Sequence, residues 1–255
     1  MKKLALRVLL LSAIVAIPAS VAQAQTNSWI YHLNNSLAEE NGGPSLVANG
    51  GILSAVGYTF GANQGLELSG IWGSGAASYT IVMHYSLQDL SGFAKVIDFK
   101  NESASCWQFG YSDCGFYNGN WTGPGQAVFY PTAHGFNDLY SENTMATTVF
   151  SRDGSGTIRV YVNGVKDYTD GDNAHQNAVF TSDIARFFED GGTKASGGFI
   201  DYLAIYDTTF SDSEAEALGE TVVTTPEPAS LVLVASGLVV IGGVARRRRK
   251  NTRAA

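Results

Sequence analysis

The stretch Thr157-Ile158-Arg159-Val160-Tyr161-Val162-Asn163-Gly164-Val165-Lys166-Asp167-Tyr168 decides the fold. Ile158, Val160 and Val162 fall on one side of an extended chain and Arg159 and Tyr161 on the other, the two-residue period of a strand. Asn163-Gly164 follows at once. A two-residue hairpin turn needs positive φ at both central positions, and Asn and Gly tolerate it best. The segment therefore predicts a β-hairpin. Working outward, Tyr79–Leu87 alternates as well. Tyr79, Ile81, Met83, Tyr85 and Leu87 share one face, and Thr80, Val82, His84 and Ser86 the other, which predicts a half-buried strand. Further strand-like runs are Trp29–Leu33, Gly65–Leu68, Phe93–Phe99, Ala127–Tyr130, Thr144–Phe150 and Phe199–Tyr206. Clusters of Gly, Asn, Asp and Ser separate them, which is turn chemistry. No long segment of this region has helical period. About ten strands without intervening helices predict two packed antiparallel sheets.

One short helix is expected near residue 215. Ser211-Asp212-Ser213-Glu214 matches a capping box, with Ser211 as N-cap and Glu214 reaching back. Ala215 to Leu218 would complete a turn or two, and Gly219 stands where a helix stop is expected.

The charge distribution divides the chain. The formal net charge is −7, yet residues 25–225 hold seven basic and 22 acidic residues, a net of −15. A body that acidic repels phosphate backbones, so no nucleic-acid partner is expected. The 45% hydrophobic and 15% charged composition rules out a disordered chain or a coiled coil. All the Trp, Tyr and Phe residues lie in this middle part, between two basic, aromatic-free ends.

Both ends read as targeting segments. Residues 1–24 begin with Lys2, Lys3 and Arg7, continue through an apolar stretch from Val8 to Ile17, and end in Ala22-Gln23-Ala24, the small-x-small pattern of a cleaved signal peptide. At the other end, residues 221–225 form a linker and Pro226-Glu227-Pro228 follows. The apolar run of residues 229–245 then gives 17 residues, about 25 Å as a helix, the short limit for one transmembrane crossing. Arg246-Arg247-Arg248-Arg249-Lys250 should stay cytoplasmic and leave the body on the far side. A plain tail anchor with a Pro-rich juncture would look the same up to this point.

The ordered triple in residues 226–250, Pro-Glu-Pro, short apolar helix and Arg-rich terminus, resembles the PEP-CTERM sorting signal. The resemblance implies that an exosortase, an integral-membrane processing enzyme of Gram-negative bacteria that make exopolysaccharide, acts on Pro226, Glu227 and Pro228. The protein would be anchored transiently in the inner membrane and then reach the cell surface or the extracellular space. The body, residues 25–220, also resembles a known family. Tyr31-His32-Leu33-Asn34-Asn35-Ser36, the hairpin around Asn163-Gly164, and Gly198-Phe199-Ile200-Asp201-Tyr202-Leu203 with Phe210-Ser211-Asp212 are similar to the laminin-G-like, concanavalin A-like lectin/glucanase domain. This resemblance implies an all-β, antiparallel two-sheet jelly-roll sandwich.

Four groups of residues are candidate sites. Cys106 and Cys114, the only cysteines, are expected to pair after export, adding roughly 2.5 kcal/mol through loop closure; two buried free thiols are the alternative. Asp167, Asp170, Asp172 and Asn173 put oxygen-bearing side chains close together beside the hairpin, read either as a calcium site or as a solvated acidic turn. Trp72, Trp107, Tyr117 and Trp121 lie in Gly- and Asn-rich segments. They read either as exposed rings able to stack on a sugar, with Trp107, Tyr117 and Trp121 forming the patch, or as core. Catalysis is not expected. The fold's hydrolases place Glu-x-Asp-x-(x)-Glu along one strand, which is absent here. Glu39-Glu40 and Glu189-Asp190 are adjacent pairs that point apart when extended. His32, His84, His134 and His175 have no metal-ligand spacing. The expected function is that of a non-enzymatic cell-surface or matrix protein, an exosortase substrate binding carbohydrate or protein in an exopolysaccharide setting. A carbohydrate-active enzyme of the same fold and a purely structural matrix component remain the alternatives.

Overall fold

The computed structural model describes residues 27–72, 75–101, 114–120, 122–130, 133–135, 137–172, 176–180 and 182–221. In chain order the strands are β1 (Ser28–His32), β2 (Val47–Asn49), β3 (Ile52–Ser54), β4 (Gly57–Phe60), β5 (Gly65–Ser69), β6 (Tyr79–Leu87), β7 (Phe93–Asp98) and β8 (Gly115–Gly119). They continue with β9 (Gln126–Tyr130), β10 (Ala133–His134), β11 (Ala146–Arg152), β12 (Thr157–Val162), β13 (Val165–Gly171), β14 (Ile184–Phe187) and β15 (Gly198–Tyr206), and α1 (Asp212–Thr221) closes the described chain. The strands form two sheets. Sheet A runs β13-β12-β11-β6-β15-β4-β3, with β1 also paired to β15; sheet B runs β10-β9-β8-β7-β14-β5-β2. All the strand pairs are antiparallel. Among the described residues the protein is thus an all-β two-sheet sandwich with one short helix. The N-terminal β1 and the C-terminal β15 are direct neighbours, and β15 fills the gap between β6 and β4.

Alternation sets what each sheet buries. The inward faces contribute one aromatic-rich core, in which Phe150 lies 5.3 Å from both Phe99 and Phe116. Trp72 belongs here too: it is 8% exposed and packs 4.1 Å from Phe180, so it is not one of the exposed rings its Gly-rich surroundings suggested. A hydroxyl-bearing network crosses between the sheets. Tyr85 donates to Asn118, Thr148 donates to Tyr85, and Tyr140 and Thr148 share a bond of 2.7 Å. Burial pushes the Tyr140 phenol up to about 12. A buried ion pair, Arg152 Nε to Asp172 Oδ2 at 2.8 Å, anchors the chain after β13.

The β12–β13 hairpin forms as read, with φ of 49° at Asn163 and 77° at Gly164. The turn from β11 to β12 is tied by Asp153, whose Oδ1 accepts from Ser155 N, Ser155 Oγ and Thr157 N, while Arg159 reaches its Oδ2 at 3.2 Å. Partial burial raises the Asp153 carboxyl, but these hydrogen bonds outweigh it and bring it to about 2.

Two expectations fail. β6 is not half-buried: Thr80 and Val82 on its second face are as covered as Ile81. Thr80 Oγ1 accepts from Phe210 N at 3.2 Å and donates to Thr208 O at 2.8 Å, and Val82 belongs to an outer apolar cluster with Val149, Tyr161, Ala204 and Ala215 of α1, against which Tyr206, Phe210 and Leu218 pack. The helix begins as predicted, with Ser211 N donating to Glu214 Oε2 at 2.8 Å and Glu214 N returning to Ser211 Oγ at 3.4 Å. It does not stop at Gly219 but runs to Thr221. Gly219 is there for closeness instead: a Cβ would sit 2.3 Å from Gly164 N in the hairpin turn.

Candidate functional site

Of the expected sugar patch, Tyr117 lies among the described residues, on the outer face of sheet B. Tyr117 stands on β8 between Gly115 and Gly119, and its ring is 1% exposed. The Lys95 ammonium lies 5.4 Å and the Lys194 ammonium 5.7 Å from the ring centroid, and Phe93 meets it edge-on at 6.3 Å. The expected exposed platform is therefore corrected at Tyr117: the residue is buried, with two lysine ammonium groups near its ring and Phe93 at its edge, contacts favoured by cation–π attraction. Trp107 and Trp121 lie outside the described residues.

Beside Tyr117, acids and cations are grouped in a pattern that sequence reading missed. Lys95 Nζ lies 3.0 Å from Asp98 Oδ2 and 3.2 Å from Asp190 Oδ1, with all three side chains under 5% exposed. On the neighbouring strands, Arg186 meets Glu67 at 3.0 Å and Glu189 at 2.7 Å. Asn101 takes a further bond from Arg186 Nε at 2.7 Å. Each pair of carboxylates thus converges on one cation. Glu189 and Asp190 do not point to opposite faces as an extended pair would, because Phe188 takes a positive φ of 68° and turns the chain. The signal available in sequence was the local Lys95-x-x-Asp98 spacing; the partners from residues 186–190 are brought in by the β14–β7 pairing.

Glu39 and Glu40 do diverge. Glu39 is buried and accepts from Ile30 N, Asn41 N and Gly43 N at 3.1, 2.8 and 2.8 Å. Desolvation works to raise its carboxyl, and these backbone donors hold it below the usual carboxylate range. Glu40 is exposed, 3.7 Å from His32 Nε2.

The three described residues of the calcium reading, Asp167, Asp170 and Asp172, are not grouped as metal ligands. Asp172 points inward to Arg152 and also accepts from Asn177 N at 2.6 Å and Ala178 N at 3.1 Å, so its oxygens already have donors. Asp167 falls at the irregularity where β13 slips against β12, and accepts from Asn137 Nδ2 at 3.1 Å. Asp170 sits opposite Ile158, and Asn173 lies outside the described residues. Among the described residues no three His, Cys, Asp or Glu side chains are grouped as metal ligands. Cys114 is buried at the entry to β8, and Cys106 lies outside the described residues.

The signal peptide of residues 1–24, the linker and the 229–245 helix also lie outside the described residues. Among the described residues no helix is long and apolar enough to cross a membrane. The tail is informative through its sequence, because a family model, the PEP-CTERM protein-sorting motif, matches residues 224–250. Residues 224–250 are a PEP-CTERM sorting motif. The motif implies an exported protein on which an exosortase acts. No match to a curated protein sequence was found.

Solved structures share the sandwich. Domain 4 of AbnA, an extracellular arabinanase of Geobacillus stearothermophilus solved with arabinotriose, is 18% identical with a TM-score of 0.55, over 77% of this chain and all of that domain. Trypanosoma rangeli sialidase is 13% identical with a TM-score of 0.56, over 77% of this chain and 32% of the enzyme. The receptor binding domain of the botulinum neurotoxin C/D mosaic serotype is 10% identical with a TM-score of 0.54, over 76% of this chain and 50% of that one. At these identities the likeness is one of fold: jelly-roll or β-sandwich domains.

Proposed function

We propose that this is an exported, non-catalytic surface or matrix protein whose laminin-G-like sandwich binds carbohydrate, delivered by exosortase processing of its tail. The observation that carries the reading is the sorting motif at residues 224–250. The shared fold with an arabinanase domain solved with arabinotriose supports the ligand class. The paired carboxylates of sheet B support a non-catalytic role. A retaining hydrolase needs one acid to protonate a leaving group and another to attack, whereas Asp98 and Asp190 share Lys95, and Glu67 and Glu189 share Arg186. In this reading residues 1–24 are removed on export, residues 229–245 cross the inner membrane transiently, and Cys106 pairs with Cys114 on the oxidising side.

Intact-mass analysis of the exported protein tests the delivery. The expected chain has lost residues beyond the Pro226–Pro228 segment and carries no thiol that alkylates without reduction. A mature protein that still ends at Ala255 sinks the processing step.

A further inference from the structure

We infer that the outer face of sheet A carries a glycan-binding track along β15, formed by His32, Tyr202, Tyr206 and Phe210, that takes a linear uncharged glycan of a few sugar units. The inference rests on the carbohydrate-binding reading and gives it a place.

Pairing registers line the track up. His84, Tyr202 and His32 lie opposite one another across β6, β15 and β1; the next row on the same face is Val82, Ala204 and Ile30, and the next Thr80, Tyr206 and Ser28. The two tyrosines are four residues apart, about 13 Å along a strand. Between them Ala204 is fully buried and adds no bulk. Rings extend the row at both ends: His32 lies 5.4 Å from Tyr202, and Phe210 lies 4.7 Å from Tyr206. Tyr202, Tyr206 and Phe210 pack against the apolar cluster that includes Val82 and Ala204 and stay half-buried, and His32 is exposed.

Polar groups flank the rings where sugar hydroxyls would fall. The shift in pairing between Ile200 and Tyr202 leaves Asp201 without a partner in the β6 register, and its Oδ1 lies 2.8 Å from His84 Nδ1. Glu40 stands beside His32, and Asp207 accepts from Asn27 Nδ2 at 2.7 Å at the far end. Aromatic faces offer apolar stacking to the C–H side of a sugar ring, and carboxylates accept from its hydroxyls. Three carboxylates along the row, on a body of net charge −15, repel an anionic polymer and leave a neutral one unopposed.

Affinity electrophoresis of the exported protein decides the matter, in gels containing neutral arabinan, neutral hydroxyethylcellulose or anionic polygalacturonate. Retardation is expected in a neutral gel and not with polygalacturonate. The double variant Tyr202→Ala/Tyr206→Ala should lose affinity by about tenfold or more, and Tyr117→Ala on sheet B should not. His32→Ala, at an exposed position, should weaken binding by about threefold with an unchanged melting temperature, and it decides the case if the double variant fails to fold. Retardation lost in Tyr117→Ala but kept in the sheet A variants overturns the track and leaves the carbohydrate reading standing. Stronger retardation by polygalacturonate overturns the neutral class. A protein that no gel retards overturns both.

Discussion

The outer faces of the two sheets solve the same problem with opposite chemistry. Sheet A covers part of its outer face with an apolar cluster: Val82, Val149, Tyr161 and Ala204 are joined by Ala215 of α1, and Leu218 packs against them. Apolar burial of this kind is non-directional and tolerates small slips. Sheet B instead holds Lys95, Asp98 and Asp190 in near-complete burial, with Arg186, Glu67 and Glu189 beside them. A buried ion pair adds little net stability over an apolar substitute, yet it is unforgiving when one partner goes. The difference teaches that sheet A's cover is held by area, whereas the turn after β14 is held in place by charge geometry.

Removing a charge should break the comparison most sharply. Lys95→Ala leaves Asp98 and Asp190 buried near each other without their shared cation, and should cost about 3–5 kcal/mol in urea unfolding. Arg186→Met should cost less, because its guanidinium is 22% exposed and water can take over its partners. Equal losses for the two variants would show that burial does not govern the effect.

The helix side predicts a smaller loss with a telling sign. By propensity alone, Gly219→Ala should stabilise α1 by about 1 kcal/mol. The new Cβ would instead fall 2.3 Å from Gly164 N, so a net destabilisation of about 1–3 kcal/mol is expected by thermal unfolding. A rise in melting temperature would show that α1 does not press on the hairpin.

The smallest effect concerns a directional feature within sheet A. The Asp153 carboxyl falls from 3.8 to about 2 on folding. A lowered carboxylate contributes stability that is complete above its unfolded value and lost as the pH falls through its folded value. Wild type should therefore exceed Asp153→Asn by about 1 kcal/mol at pH 7, and the two acid-unfolding curves should meet near pH 2. A gap that persists unchanged at pH 2 would assign the difference to something other than this charge.

Long strands were legible in the sequence and short ones were not. β6 and β12 match their predicted limits because side-chain alternation runs the length of each. β2, β3, β4 and β14 hold three or four residues each, too few for a period to declare itself, and β8 is the Gly-flanked Gly-Phe-Tyr-Asn-Gly. Burial was misjudged wherever a distant segment supplies the cover. Residues 208–210 close over Thr80 of β6, and the Lys95 and Lys194 ammonium groups lie near the buried Tyr117 ring. The same separation hid the ion clusters, since Lys95 meets Asp190 only after the sheet has assembled. The sorting motif was readable because an enzyme recognises it as linear sequence, independent of the fold.

The position of β15 has a consequence for timing. This last strand fills the interior of sheet A, beside β6 and against the N-terminal β1. On a chain threaded across a membrane from its N-terminus, β1 has no neighbour to pair with until residue 206 has emerged. Sheet A then stays split through nearly the whole of translocation, and such non-local pairing is slow to form. Under the proposed delivery, completion of the sandwich and processing of the tail fall within the same brief interval, and whichever is faster decides whether the processing enzyme meets a finished domain or an open one.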